Sequence, residues 1–423
     1  MESQEERRKT EMTTLLGALM VAAAGLLVGS GAWPFKLMRT YRFEHWWFIG
    51  MLVGLVILPW GITLAGCRRV PEALGAVPWQ DLLIGNLFAL GWGIANVLCG
   101  LCFVRIGVAL TGAILAGLGV SIGAIVPMVF KGSGLFKDSA GLGSPAGLAV
   151  LTGVAVILVG VVLAAIAGFG RDRELRKLQQ TSGGFLGGLI MTVIAGVLSS
   201  FMPFAFVYSQ DRIIANLSVV EPGRTIGVTI EGGKKEEHRV SSGGTIELED
   251  RGEIPVGGAT AADAEARIQE RITGARSGSK SRVRVETGSI PATFGAFAVC
   301  LAAGALVNVG YAAYLLTKNK SWNVFAQSGK ELALAVIIGI NMSVSFALVG
   351  KGMLLLGALG ASIGWGIQQP MQMTGSQLLG FISGEWRGVY GKPRRQMYLA
   401  IAVLIVAALI MAYGNTLPKV WTS

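Results

Sequence analysis

Leu82–Val104 reads LLIGNLFALGWGIANVLCGLCFV, and beyond the lone charge of Arg105 the chain resumes at Ile106–Pro127 as IGVALTGAILAGLGVSIGAIVP. About 20 apolar residues cross roughly 30 Å of hydrocarbon, so each stretch is long enough to span a bilayer. Working outward, eight more runs have the same character: Thr13–Trp33, Trp46–Gly66, Ala146–Gly168, Phe185–Val207, Ala292–Leu316, Leu332–Gly350, Met353–Ser383 and Met397–Tyr413. Ten candidate membrane helices follow. Pro370 lies inside the long ninth run, where a kinked or broken helix is expected, since neighbouring helices can re-satisfy the freed backbone groups.

The composition agrees. Of 423 residues, 52% are hydrophobic and 14% charged, against about 25% charged in ordinary soluble domains. A cytosolic enzyme, a disordered chain and a disulfide scaffold are all excluded. Most of the 61 glycines suit close helix packing, where small residues let backbones approach. Cys99 and Cys102 form a C-x-x-C inside an apolar run. They read as packing residues, because a redox or metal pair wants polar neighbours and a second ligand pair.

Charge is segregated. Residues 209–290 carry a net −1 and the remainder +12. The basic residues fall in short clusters between apolar runs, without the continuous basic face that nucleic acid requires. Lys and Arg in short loops mark the cytoplasmic side. The loops of Lys36–Arg42, Arg105, Arg171–Lys177, Lys318–Lys330 and Arg387–Arg395 hold more of them than the opposite set. Both termini and the polar insert are therefore expected outside the cytoplasm, with Arg7-Arg8-Lys9 as the dissenting cluster. The first run continues into Trp33-Pro34-Phe35 without a small-residue cleavage pattern and reads as an uncleaved span.

The insert divides the chain into 1–208 (the first membrane half plus the sixth helix), a soluble 209–290, and 291–423. Partial alternation at Val219, Ile226, Val228 and Ile230 marks strands. Gly243-Gly244 and Gly257-Gly258 are turns, and Lys234-Lys235 with Glu236-Glu237 reads as a solvated turn. Thr260 is an N-cap for a helix from Ala261 to about Thr273, and Arg282–Glu286 closes the module as a strand.

Pro34-Phe35-Lys36, Ile57-Leu58-Pro59-Trp60, Gly91-Trp92-Gly93-Ile94-Ala95-Asn96, Ser362-Ile363-Gly364-Trp365, Gly384-Glu385-Trp386 and Lys392-Pro393-Arg394-Arg395 together resemble the L-rhamnose–proton symporter family, a branch of the drug/metabolite transporter superfamily. The resemblance implies ten helices in two five-helix halves related as inverted repeats, with a central sugar site. An internal echo points the same way: Asn96, Arg105, Ser121-Ile122-Gly123 and Pro127 recur as Asn341, Lys351, Ser362-Ile363-Gly364 and Pro370. In the insert, Glu221-Pro222-Gly223, Gly244-Thr245-Ile246, Gly258-Ala259-Thr260 and Val283/Val285 resemble the β-grasp module of polysaccharide export proteins, with Arg224 where that pattern usually has an acid. That likeness implies a periplasmic module in contact with envelope polysaccharide. The fold class expected is an all-α membrane protein carrying a small α+β, β-grasp-like domain.

Polar side chains at membrane depth usually face the bundle interior. Here they include Trp92, Asn96, Asn308, Asn341, Ser343, Trp365, Gln368, Gln369, Gln372 and Thr374, without a carboxylate. Amides donate to and accept from sugar hydroxyls, and an indole face packs on a pyranose. Trp92, Asn96, Asn341, Trp365, Gln368, Gln369 and Gln372 are the candidate substrate-binding residues, with interhelical hydrogen bonding as the plain alternative. Three glutamines within five residues exceed what packing needs. Proton coupling normally requires a titratable group in the pathway, and the nearest are Glu44 and His45 at the mouth of the second span. Either these titrate from the boundary, or coupling is altered or absent. No cofactor, metal-ligand set or catalytic constellation is expected. A multi-pass carrier of L-rhamnose or a related neutral sugar in the bacterial inner membrane leads the readings, and the alternative is a non-transporting receptor or scaffold whose insert contacts envelope polysaccharide or its export machinery.

Overall fold

The computed structural model describes residues 4–106, 108–129, 141–175, 185–230, 235–248, 252–275, 283–356 and 360–417. Its helices are α1 Gln4–Ser30, α2 Phe43–Leu52, α3 Leu58–Gly66, α4 Val70–Gly75, α5 Trp79–Ile106, α6 Val108–Val129, α7 Pro145–Glu174, α8 Phe185–Ser199, α9 Phe201–Leu217, α10 Ala261–Ala275, α11 Ile290–Cys300, α12 Ala302–Lys318, α13 Gly329–Leu356, α14 Gly360–Ile382 and α15 Lys392–Gly414. Among the described residues, seven helical stretches are long and apolar enough to cross a membrane, and α11 with α12 makes an eighth bent by 62°. The protein is a multi-pass membrane protein.

Several boundaries differ from the sequence reading for identifiable reasons. The sixth run does not stop at Val207, because α9 continues to Leu217. Ile213 and Leu217, one turn apart, are buried there, and the polar pair Asp211 and Arg212 finds partners. Gly329–Leu356 is a single helix, so Lys351 lies within α13 rather than in a connection. The break expected at Pro370 is not seen: α14 runs through it, with the Thr374 hydroxyl donating to the Pro370 carbonyl at 2.9 Å. The irregularity sits instead in the second span, where a π turn at Val53–Ile57 separates α2 from α3. Pro59 has no N–H for the preceding turn, and Gly54 meets Gly339 of α13 at the same level.

Contacts group the chain into two compact units, one of Met1–Leu58, Asn86–Val207 and Leu301–Ser423, the other of Pro59–Gly85 and Tyr208–Cys300. In the first unit, α1 is wedged between α13 and α14, and α7 lies along α15. Glycines set these distances. A Cβ at Gly25 would meet the Gln368 carbonyl at 2.4 Å, and one at Gly17 the Gly352 carbonyl at 3.0 Å. Gly93 of α5 and Gly304 of α12 are pressed together in the same way.

The second unit contains the insert. Strand β1 (Thr225–Ile230) lies between β2 (Lys235–Arg239) and β5 (Val283–Glu286), antiparallel to both, while β3 (Thr245–Leu248) pairs with β4 (Gly252–Pro255). Lys235–Glu237 therefore belongs to an edge strand, not a solvated turn; Lys234 is outside the described residues. The N-cap is as expected, with the Thr260 hydroxyl accepting the Asp263 N–H at 3.1 Å. Ile268 and Ile272 of α10 pack with Ile226, Val228, Ile246, Val283 and Val285 into a separate core. The outward N–H groups of edge strand β5 are taken by α10: Val285 donates to Glu265 at 2.9 Å and Val283 to Gln269 at 3.1 Å. An edge capped in this way resists pairing with another chain. Arg284 bonds Asp211 of α9 at 2.6 Å. Burial would discharge its guanidinium, but Asp211, Glu286 and Glu265 outweigh that and hold its pKa above the ordinary value. Ile268→Ala is expected to cost the insert about 2–5 kcal/mol, the usual range for large-to-alanine core changes. Limited proteolysis should then cut within 209–290 first, and equal resistance in both proteins would contradict a separate core.

Candidate functional site

Helix α14 packs against α1, α6, α7, α13 and α15. Residues Ser362–Gln368 along it are buried without interruption, and it carries the three glutamines. It is absent from the helices that qualify as apolar spans. A helix surrounded by others yet too polar for lipid is the natural wall of a polar path. The Gln369 amide donates to the Gln368 oxygen at 3.4 Å, and Gln368 in turn to Gln372 at 3.3 Å. Both contacts are long, and they link the side chains in a row. The remaining oxygen of Gln369 and the nitrogen of Gln372 are left without a partner among the described residues. Such a row can accept at one end and donate at the other, which suits vicinal hydroxyls.

The other candidates have more definite occupations. Trp365, 3% exposed, donates its indole N–H to the Gly119 carbonyl of α6 at 3.0 Å, with Gly123 beneath its ring. Asn341 donates to the Leu27 carbonyl of α1 at 3.0 Å. Both hold helices together around α14. Trp92 is buried edge-on to Phe346 at 5.9 Å and lies over Gly304, so α5, α12 and α13 meet at its ring. Asn96, one turn further along α5, is half-buried and makes no hydrogen bond among the described residues. Asn308 belongs to the polar inventory of the spans but not to the candidate substrate-binding residues. It is wholly buried; its amide donates to the Gly304 carbonyl at 2.8 Å while its oxygen is unpartnered. Buried amide oxygens are normally bonded, so it moves from that inventory to the site candidates beside Trp92.

Glu44 and His45 lie at the start of α2, both buried. The His45 Nδ1 accepts the Arg42 N–H at 3.1 Å, which leaves Nε2–H to donate to the Ser321 carbonyl at 3.1 Å. That pattern fixes the neutral tautomer, and a second proton on Nδ1 would displace the Arg42 N–H. Glu44 accepts from the Asn319 amide at 3.0 Å, leaving one carboxylate oxygen without a partner among the described residues. Beside them Glu331 accepts the N–H groups of Arg39, Thr40 and Tyr41 at 2.7–3.1 Å. Burial, and then the Glu331 carboxylate, push the Tyr41 phenol above its usual pKa. At the same end of this unit, Glu385 pairs with Lys36 and with Arg171, whose guanidinium stands 5.5 Å over the Trp386 ring. The motifs Pro34-Phe35-Lys36 and Gly384-Glu385-Trp386, far apart in sequence, thus meet. Four of the connections that charge counting assigned to one side are joined by direct bonds: Glu385 reaches both Lys36 and Arg171, and the Lys36–Arg42 connection also bonds the turn after α12 through Tyr41 and Phe325.

Residues 12–219 match the model of a family described as L-rhamnose-proton symport protein (RhaT). An L-rhamnose-proton symporter of Pectobacterium atrosepticum is 24% identical over 388 residues, covering 90% of this chain and 92% of the relative. One from Yersinia pestis is 31% identical over 172 residues, covering 41% of this chain and 49% of that protein, and one from Yersinia pseudotuberculosis matches to the same degree over 48% of its length. The family match covers just under half of the chain, and the Pectobacterium relative is similar along nine-tenths of it, so the chain is similar to L-rhamnose-proton symport proteins.

Proposed function

We propose that this protein carries L-rhamnose or a closely related neutral sugar across the bacterial inner membrane by alternating access, in symport with protons. The observation that carries the reading is the amide row on α14, enclosed by five helices, in a chain similar along most of its length to proteins named L-rhamnose-proton symporters. Gln368, Gln369 and Gln372 would select hydroxyls, Asn96 and Trp92 would face them across the path, and Trp365 and Asn341 would fix the walls. Glu44, with an unpartnered oxygen, is the better proton acceptor of the boundary pair, since both nitrogens of His45 are engaged by backbone.

Ten spans in two inverted halves are part of this proposal, with α6 and α14 completing the count. The helix pairing supports it. Let α1, α2, α5, α6 and α7 correspond to α8/α9, α12, α13, α14 and α15. Exchanging counterparts turns α1 on α14 into α8 on α6, α14 on α15 into α6 on α7, and α2 on α13 into α12 on α5; α7 with α15, α6 with α14 and α2 with α12 map onto themselves. Every one of these pairs occurs. Five spans per half is an odd number, so the second half enters the bilayer from the opposite side. Sites in such folds lie near the midplane at the repeat interface. With Lys36, Arg171 and Lys320 cytoplasmic, the insert 209–290 would stand in the periplasm.

The test is uptake of radiolabelled L-rhamnose into proteoliposomes, with and without an inward proton gradient. Accumulation that collapses with a protonophore is expected. Gln368→Leu combined with Gln372→Leu should lower uptake about tenfold or more, since each lost hydroxyl contact is worth about 1 kcal/mol, at normal folded yield. No flux of rhamnose or related sugars would overturn the proposal.

A further inference from the structure

At the end of the first unit that holds Glu44 and His45, an open cavity of about 370 Å³ lies between the connection preceding α2 and the turn following α12. That is within the range of small-ligand pockets, about 300–1,000 Å³. Its lining is polar and of one sign. Arg42 and Lys320 contribute cations that pair with no carboxylate among the described residues. Asn323 and Gln327 contribute amides without hydrogen bonds among the described residues, where the buried Ser321 hydroxyl likewise has no partner. The two acids nearest this charge are not part of the lining. Glu331 is engaged by the backbone of residues 39–41, and Glu44 by the Asn319 side chain. Lys320 sits in the left-handed backbone region at φ 51°, a conformation that costs a non-glycine residue energy and holds only where the surroundings impose it.

Depth is marked by aromatic residues. Trp322 packs edge-on to Phe48 at 5.2 Å and lies beside Phe325, while Phe43, Trp46 and Trp47 form a second cluster on α2. Trp33, Phe43 and Trp322 are exposed, as side chains at a membrane–water interface are. Two cations, free amide and hydroxyl donors and no carboxylate in the lining, held at headgroup level, make a receptor for phosphate oxygens.

We propose that this cavity binds a phosphate-bearing anion, supplied either by the headgroup of an anionic phospholipid or by a phosphorylated solute. Arg42 and Lys320 carry the charge recognition, and Asn323, Gln327 and Ser321 complete the oxygen contacts. The site is separate from the amide row on α14 and stands whether or not rhamnose is the cargo.

The full chain in neutral detergent would be followed by thermal unfolding with inorganic phosphate, and after transfer to nanodiscs of phosphatidylglycerol or of phosphatidylcholine. Arg42→Gln with Lys320→Gln removes the charge; Asn323→Asp with Gln327→Glu keeps both cations and places acids opposite them. Saturable stabilisation by phosphate, weakened in both variants, identifies a solute site. Stabilisation by phosphatidylglycerol over phosphatidylcholine, reduced in both variants, identifies a headgroup site. Loss of the cations should weaken affinity about tenfold or more, as removal of charged hydrogen-bond partners does. No stabilisation by either probe, or an equal response in wild type and both variants, would overturn the proposal.

Discussion

Replacing Gly29 with valine is expected to abolish folded yield and uptake together. A Cβ at Gly29 would stand 1.9 Å from the Gln372 carbonyl oxygen, and one at Gly25 2.4 Å from that of Gln368. Gly375 on α14 returns the contact, its Cβ position lying 2.5 Å from the Leu26 carbonyl. The obstructing atoms are backbone, so no rotamer change relieves them and α1 must move away from α14. In soluble cores overpacking costs about 1–3 kcal/mol where side chains can yield; here only a helix can. Membrane helices also lack a hydrophobic force to hold them at a wider separation, since lipid tails are as apolar as their side chains. The displacement would carry the Gln368–Gln372 row out of line, so even the fraction that folds should transport poorly. Gly310→Ala on α12 is the matched control, because nothing lies within 4 Å of its Cβ position. Size-exclusion chromatography and thermal unfolding in detergent check both. A monodisperse Gly29→Val protein with wild-type stability would contradict the α1–α14 contact.

What could be read from the sequence follows the range of the interactions. Leu82–Val104 is legible because hydrocarbon thickness acts residue by residue along one run. Thr260 is legible because a cap reaches only to Asp263. The extension of α9 is not, because Asp211 and Arg212 look like the end of a span until Arg284 and Asp81 are found beside them. Strand β2 is charged, lies on an edge and lacks alternation, so it resembles a loop. The amide-rich character of α14 was plain, but not the division of labour around it. An asparagine or tryptophan that ties two helices is chemically the same as one that awaits a sugar, and only the 3.0 Å bonds to Leu27 and Gly119 distinguish the first role. Glu331 illustrates the same limit. At the start of α13 its N–H is capped locally by the Ser328 hydroxyl at 3.2 Å, yet the carboxylate turns to residues about 290 positions away.

Glu331→Ala should therefore destabilise the protein well beyond the loss of a surface charge. The carboxylate is 7% exposed, pairs with no cation among the described residues, and is balanced by three successive N–H groups. Removing it orphans all three. An unmade buried hydrogen bond costs about 1–3 kcal/mol, but Arg39 and Thr40 are exposed and can turn to water, whereas Tyr41 is buried. The expected cost is then about 2–4 kcal/mol, near the upper end for one side chain. Glu331→Gln separates charge from acceptor geometry. Its oxygen can still serve Arg39 and Thr40, but its NH₂ would face the Tyr41 N–H, donor against donor, so much of the loss should remain. Because Glu331 ties the connection after α1 to the start of α13, melting of that link should also open the cavity lined by Arg42 and Lys320. Thermal unfolding of both variants, with hydrogen exchange at residues 39–41 as the local readout, checks the chain of consequences. Slow exchange at Tyr41 in Glu331→Ala would show that another acceptor holds the turn, and the assignment of Glu331 as its anchor would fail.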